Sequence, residues 1–131
     1  MSTIKANTLL HSDGSTTTQP SIPALDQRMA KAWVSYNHGG NLVKDSYNVS
    51  SMTDRGTGLG TLNFSTAMSD ANYAVLGLDI DGGGEDDNRI FGSSGPFSTS
   101  SFNWFTGYVS STITAAELND GDRVSIMVFG S

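Results

Sequence analysis

From Ala32 onwards the apolar residues recur at every second position, the period of a half-buried β-strand. Ala32, Val34 and Tyr36 alternate with Trp33 and Ser35. His38-Gly39-Gly40-Asn41 reads as a turn, after which Leu42-Val43 restarts a strand that continues through Tyr47 and Val49. Thr53 to Gly60 reads as a Gly-rich hairpin, and beyond it Leu62 and Phe64 alternate with Thr61, Asn63 and Ser65. Ala74, Leu76, Leu78 and Ile80 then alternate with Val75, Gly77 and Asp79. Asp81 to Asn88 is an acidic, Gly-rich loop, and Arg89-Ile90-Phe91 predicts a short strand. Phe102, Trp104 and Tyr108 share one parity, opposite Phe105 and Val109. Thr114-Ala115-Ala116-Glu117 fits a capping box and predicts one helical turn through Leu118. After the turn Asn119 to Asp122, Val124, Ile126 and Val128 form the clearest half-buried strand, and their register predicts a central place in its sheet.

Seven or eight short strands separated by turns predict an all-β fold, a small antiparallel β-sandwich spanning residues 31–131. Several strands are apolar on both parities: Trp33 against Val34, Val75 against Leu76, Met127 and Phe129 against Ile126. That pattern is expected where one face packs the core and the other meets a neighbouring subunit.

Residues 1–30 break the pattern. Ser12 to Pro20 is polar and rich in turn formers, and the apolar residues before it, Ile4, Leu9 and Leu10, follow no period. Such a segment cannot bury enough surface to fold alone. It reads as an extended N-terminal arm, with Ile4, Leu9 and Leu10 as anchor residues that order on a partner surface. Pro23 to Met29 predicts a short helical turn, with Ser21 as its cap and Leu25 and Met29 on one face.

Composition narrows the function classes. The chain has 131 residues, 15 of them Gly, and a net charge of −6, which lacks the basic footprint of a nucleic-acid binder. It equally disfavours an anionic membrane surface, and no apolar run is long enough to span a bilayer. The N-terminus shows no charged region followed by an apolar one, so no signal peptide is expected. With no Cys there is neither a disulfide framework nor a thiolate metal site.

Candidate chemistry is sparse. Asp79, Asp81, Glu85, Asp86 and Asp87 are the one dense set of oxygen ligands. Asp79-Ile80-Asp81 opens like an EF-hand loop, but its glycines are misplaced and Ile90 stands where the bidentate Glu belongs. The cluster reads as a solvated loop, with a calcium site of another type as the alternative. His11 and His38 lie in an arm and a turn without ligand spacing, and no Gly-x-Ser-x-Gly elbow accompanies the many serines. No catalytic residue, metal site or cofactor is expected. Phe97, Phe102, Trp104, Phe105 and Tyr108 crowd a segment rich in Ser, Asn and Gly. Alternation alone explains most of them as strand core. Aromatics amid small polar residues also suit a recognition surface, because they offer rigid contact area at low entropic cost.

One block carries a resemblance. Ala30-Lys31-Ala32-Trp33-Val34 is followed by a Gly-rich turn, Ser46-Tyr47-Asn48-Val49-Ser50-Ser51, a Gly-rich hairpin and Asn63-Phe64-Ser65-Thr66-Ala67-Met68. This series resembles the small β-sandwich module of tailed-phage tail-fibre and tail-tip proteins, closely over residues 30 to 80 and loosely toward the C-terminus. The resemblance implies a non-enzymatic virion structural protein that mediates host-surface attachment, sits at the tail, contacts other virion proteins and forms a homotrimer; the crowded aromatics add contact with a host-surface glycan as an open alternative to strand core. Members of that family are usually longer, so a capsid decoration or head-fibre protein tethered by the arm is the alternative expectation. A carbohydrate-active enzyme is a third class, for which no paired-carboxylate signature stands out.

Overall fold

The computed structural model describes residues 28–80, 88–109 and 116–130, together with Thr8, Leu10, Asp13 and Gly14. Nine strands follow in order: β1 (Ala30–Asn37), β2 (Leu42–Tyr47), β3 (Val49–Gly56), β4 (Leu59–Phe64), β5 (Ala74–Ile80), β6 (Asn88–Phe97), β7 (Ser101–Val109), β8 (Glu117–Leu118) and β9 (Arg123–Phe129). All pairings are antiparallel. Sheet I has the order β2-β1-β9-β5, and sheet II the order β3-β4-β7-β6. The two-residue β8 pairs with β7 at Gly107 and Tyr108, beyond Phe105, whose partner Leu59 is the first residue of β4. The protein is therefore an all-β sandwich, as the period-two pattern predicts, and β9 occupies a central position.

The two inner faces make one core. Sheet I contributes Ala32, Val34, Tyr36, Val124, Ile126 and Val128 at alternate positions, and sheet II contributes Leu62, Phe64, Phe102 and Trp104. Trp104 is wholly buried, and its neighbour across the strand pair is Gly60. A Cβ at Gly60 would collide with the Trp104 indole, so the missing side chain is what gives the ring its seat.

Three local expectations are corrected, and a fourth lies largely outside the described residues. The stretch from Leu42 to Val49 is not one strand. Asn48 adopts a left-handed conformation (φ 55) between β2 and β3, and the chain crosses there from sheet I to sheet II. The Asn48 side chain holds that corner, donating to the carbonyls of Lys31 and Thr66 while its oxygen accepts the Thr66 amide. Asn tolerates positive φ better than other side-chain-bearing residues, which is why the switch falls on it. Secondly, β6 is ten residues long and not a three-residue strand; a bulge between Ser93 and Phe97 accommodates Gly95 and Pro96. Thirdly, Glu117 and Leu118 form a strand and not a helical turn, because β7 offers them a ladder beside Gly107; Thr114 and Ala115 lie outside the described residues. Finally, Arg28 and Met29 form a turn entering β1, while residues 21–27 of the expected helical turn lie outside the described residues.

Candidate functional site

The five aromatics singled out by composition do not form one surface. Phe102 and Trp104 point into the core and are buried, so a recognition role does not extend to them. Phe97 stacks on Tyr73 with centroids 5.0 Å apart and meets Phe102 edge-on, closing one end of the sandwich. The Tyr73 hydroxyl completes that end by donating to the carbonyl of Ser98 at 2.9 Å. Burial pushes the Tyr73 phenol above its ordinary pKa, against the opposing pull of that hydrogen bond. Tyr108 lies beneath the Arg89 guanidinium and donates to Glu117. Phe105 alone lies on the outer face of sheet II, half-buried over Gly92, where a Cβ would strike its ring at 2.5 Å.

The acidic cluster also separates. Asp79 is not part of a solvated loop. It points inward from the end of β5 and forms an ion pair with Arg89 on β6, 3.2 Å from Nε to Oδ2, with the Asp side chain fully buried. Asp81, Glu85, Asp86 and Asp87 lie outside the described residues. Among the described residues no three His, Cys, Asp or Glu side chains converge as metal ligands do.

His38 opens the turn that the sequence predicts, its carbonyl accepting the Asn41 amide at 2.9 Å, but its side chain is not a solvated turn side chain. It is 2% exposed and continues the inward parity of Ala32, Val34 and Tyr36 past the end of β1. That parity was the available clue. Its ring meets Trp104 edge-on at 5.0 Å. Nδ1 lies 3.3 Å from Asp120 Oδ1 and Nε2 lies 3.7 Å from Asp54 Oδ1, neither with hydrogen-bond geometry. Asp120 in turn accepts the Gly58 amide, and the Tyr36 hydroxyl donates to Asn41 at 2.7 Å. Burial, then the charges of Asp54 and Asp120, raise the Tyr36 phenol above its ordinary pKa. The imidazole has no exposed edge from which to meet a substrate, so the cluster acts as a polar plug at the second end of the sandwich.

What remains for contact with other molecules is the two outer faces, and they differ in kind. On sheet II, Ser51 and Thr53 of β3, Thr61 and Asn63 of β4, and Ser101 and Asn103 of β7 face outward in paired register. Thr61 donates to Asn103 at 2.6 Å, and Asn63 donates to the hydroxyls of Ser51 and Thr53. The result is a flat field of hydroxyls and amides beside the Phe105 ring. On sheet I the outer face is apolar. Tyr47, Trp33, Met127 and Leu76 form a single cross-strand row over all four strands, and Leu78 and Ile80 extend it along β5. Leu76 is 62% exposed, Leu78 57% and Met127 50%.

Of the expected anchor residues, Leu10 is exposed, and Ile4 and Leu9 lie outside the described residues. Comparison of the chain with protein-family models, with curated proteins and with solved structures finds no match.

Proposed function

We propose that this chain is a non-enzymatic structural protein of a tailed-phage virion, a tail-fibre or tail-tip component that attaches the particle to its host and assembles as a homotrimer. The observation that carries this proposal is the residue series resembling the tail-fibre module. Its blocks, Ala30 to Val34, Ser46 to Ser51 and Asn63 to Met68, supply most of β1, the β2–β3 corner and the end of β4. The likeness thus lies in the framework of the sandwich and not in a loop. In this function the N-terminal arm, with Ile4, Leu9 and Leu10, is the tether to other virion proteins. The polar field on sheet II is the host-facing surface. Its amides and hydroxyls match the donors and acceptors of a sugar, and the Phe105 ring offers an apolar platform beside them.

Immunogold labelling of intact particles tests the proposal directly. Label at the distal tail is the expected result. Label on the capsid surface would replace attachment by the decoration role, and particles without label would sink both. A glycan-binding screen of the purified protein then addresses the host-facing surface, with Phe105→Ala expected to weaken any binding found.

A further inference from the structure

We infer that the outer face of sheet I is a self-association surface, occupied by the same face of a second copy of this chain. The inference stands on this face alone and does not depend on the virion role.

Three observations lead to it. The first is extent. The row Tyr47–Trp33–Met127–Leu76 spans the sheet from edge to edge, and Leu78 and Ile80 continue it down β5. The exposed part of these six side chains is on the order of 500 Å², at the upper end of what a monomer leaves open. With the polar rim of the same sheet, it approaches the roughly 800 Å² per partner of a stable interface.

The second is charge. The chain carries a net charge of −6, so copies of it repel through most of their surface. The outward rows of sheet I are exempt. Below the apolar row lie Asp45, Ser35, Ser125 and Leu78, and below that Arg123 and Ile80. Lys31, on the parity of Trp33, and Arg123 stand against Asp45, so the face lacks the negative excess of the rest of the chain. Two acidic chains meet there with the least repulsion. A basic partner would instead be drawn to the acidic remainder.

The third is the edge. β5 ends sheet I, pairs only with β9 in that sheet, and runs seven residues without a bulge, proline or lysine. It also presents Leu76, Leu78 and Ile80 outward. Two like faces packed about 10 Å apart bury these three side chains by ordinary sheet-on-sheet stacking. The same patch serves both copies, so the contact is two-fold and closes as a pair with no open chain; a threefold assembly joins its chains through a different contact.

Sedimentation equilibrium of the full-length protein, from low to high micromolar, tests the inference. The wild type should have an even multiple of the single-chain mass. Leu76→Glu and Met127→Lys should each halve it while retaining the β-type circular dichroism spectrum. Both side chains project from the outer face, so neither substitution disturbs the core. Should a charged variant fail to fold, Leu78→Ser provides the measurement, with dissociation shifted to higher concentration by tenfold or more. A wild type that stays a single chain at high micromolar would overturn the inference. So would an oligomer that persists unchanged in these variants, since association would then run through the arm or another face.

Discussion

Asp79 on β5 and Arg89 on β6 form a buried ion pair that ties the edge strand of one sheet to the edge strand of the other. The arginine is additionally held by Asn119 at 3.4 Å and by the Tyr108 ring. Beside the pair, Gly121 leaves the room the carboxylate needs, since a Cβ there would collide with Asp79 Oδ1. The sandwich is thus closed on this flank by charge where most of its core is closed by hydrocarbon.

Removing one partner should be costly and removing both much less so. Asp79→Ala takes the Asp79 carboxylate away from the guanidinium in a buried site and is expected to cost about 3 to 5 kcal/mol. The double variant Asp79→Leu/Arg89→Met should recover most of that loss. Urea unfolding midpoints of the three proteins give the answer. A double variant as unstable as the single one would show that the pair contributes through hydrogen bonding that hydrocarbon cannot replace.

Gly60 and Trp104 predict a packing effect. Gly60→Ala places a methyl group where the indole lies, and the fully buried ring has no direction in which to retreat. Overpacking of this kind should destabilise by about 1 to 3 kcal/mol. The near-ultraviolet circular dichroism of the tryptophans should change in parallel. A neutral substitution would mean that the two sheets separate to absorb the methyl.

The His38 plug separates shape from charge. His38→Ala should cost about 2 to 3 kcal/mol through the cavity left against Trp104. His38→Phe should cost less than half as much, because the ring contact is restored and neither imidazole nitrogen makes a well-formed hydrogen bond. Thermal unfolding of both variants compares them. If Phe proves worse than Ala, the carboxylates of Asp54 and Asp120 matter more than the packing.

Tyr36 and Tyr73 both have phenol pKa values raised above the ordinary tyrosine value, chiefly by burial. The folded state then binds these protons more tightly than the unfolded state. Stability from this source is complete below the unfolded-state pKa and is lost as pH rises through the folded-state value. The protein should therefore unfold more easily in that alkaline range. Tyr36→Phe should lessen the alkaline slope of the urea midpoint and leave the neutral midpoint within about 1 kcal/mol, the worth of one hydrogen bond. A slope identical to wild type would remove Tyr36 as a cause.

Period-two alternation by itself determined that this chain is a sandwich, which residues of β1, β4, β7 and β9 face its core, and that β9 lies inside its sheet. Those properties are local, because each strand shows its apolar face without reference to any other. Three features were decided only by tertiary structure. On hydropathy, Leu76, Leu78 and Ile80 are the natural core side of β5, yet the fold turns Val75, Gly77 and Asp79 inward. The reason lies on another strand: Phe91 fills the space that Gly77 leaves, and Arg89 neutralises Asp79. His38 lies in the turn that its Gly and Asn neighbours predict, and only the Trp104 ring across the sandwich makes burial of its side chain favourable. Asn48 looked like the middle of a strand because the apolar pattern runs through it, whereas its side chain ties together three segments that are far apart in the chain. Each of these positions is set by a residue ten or more places away, and a pattern read along the chain carries no term for such a partner.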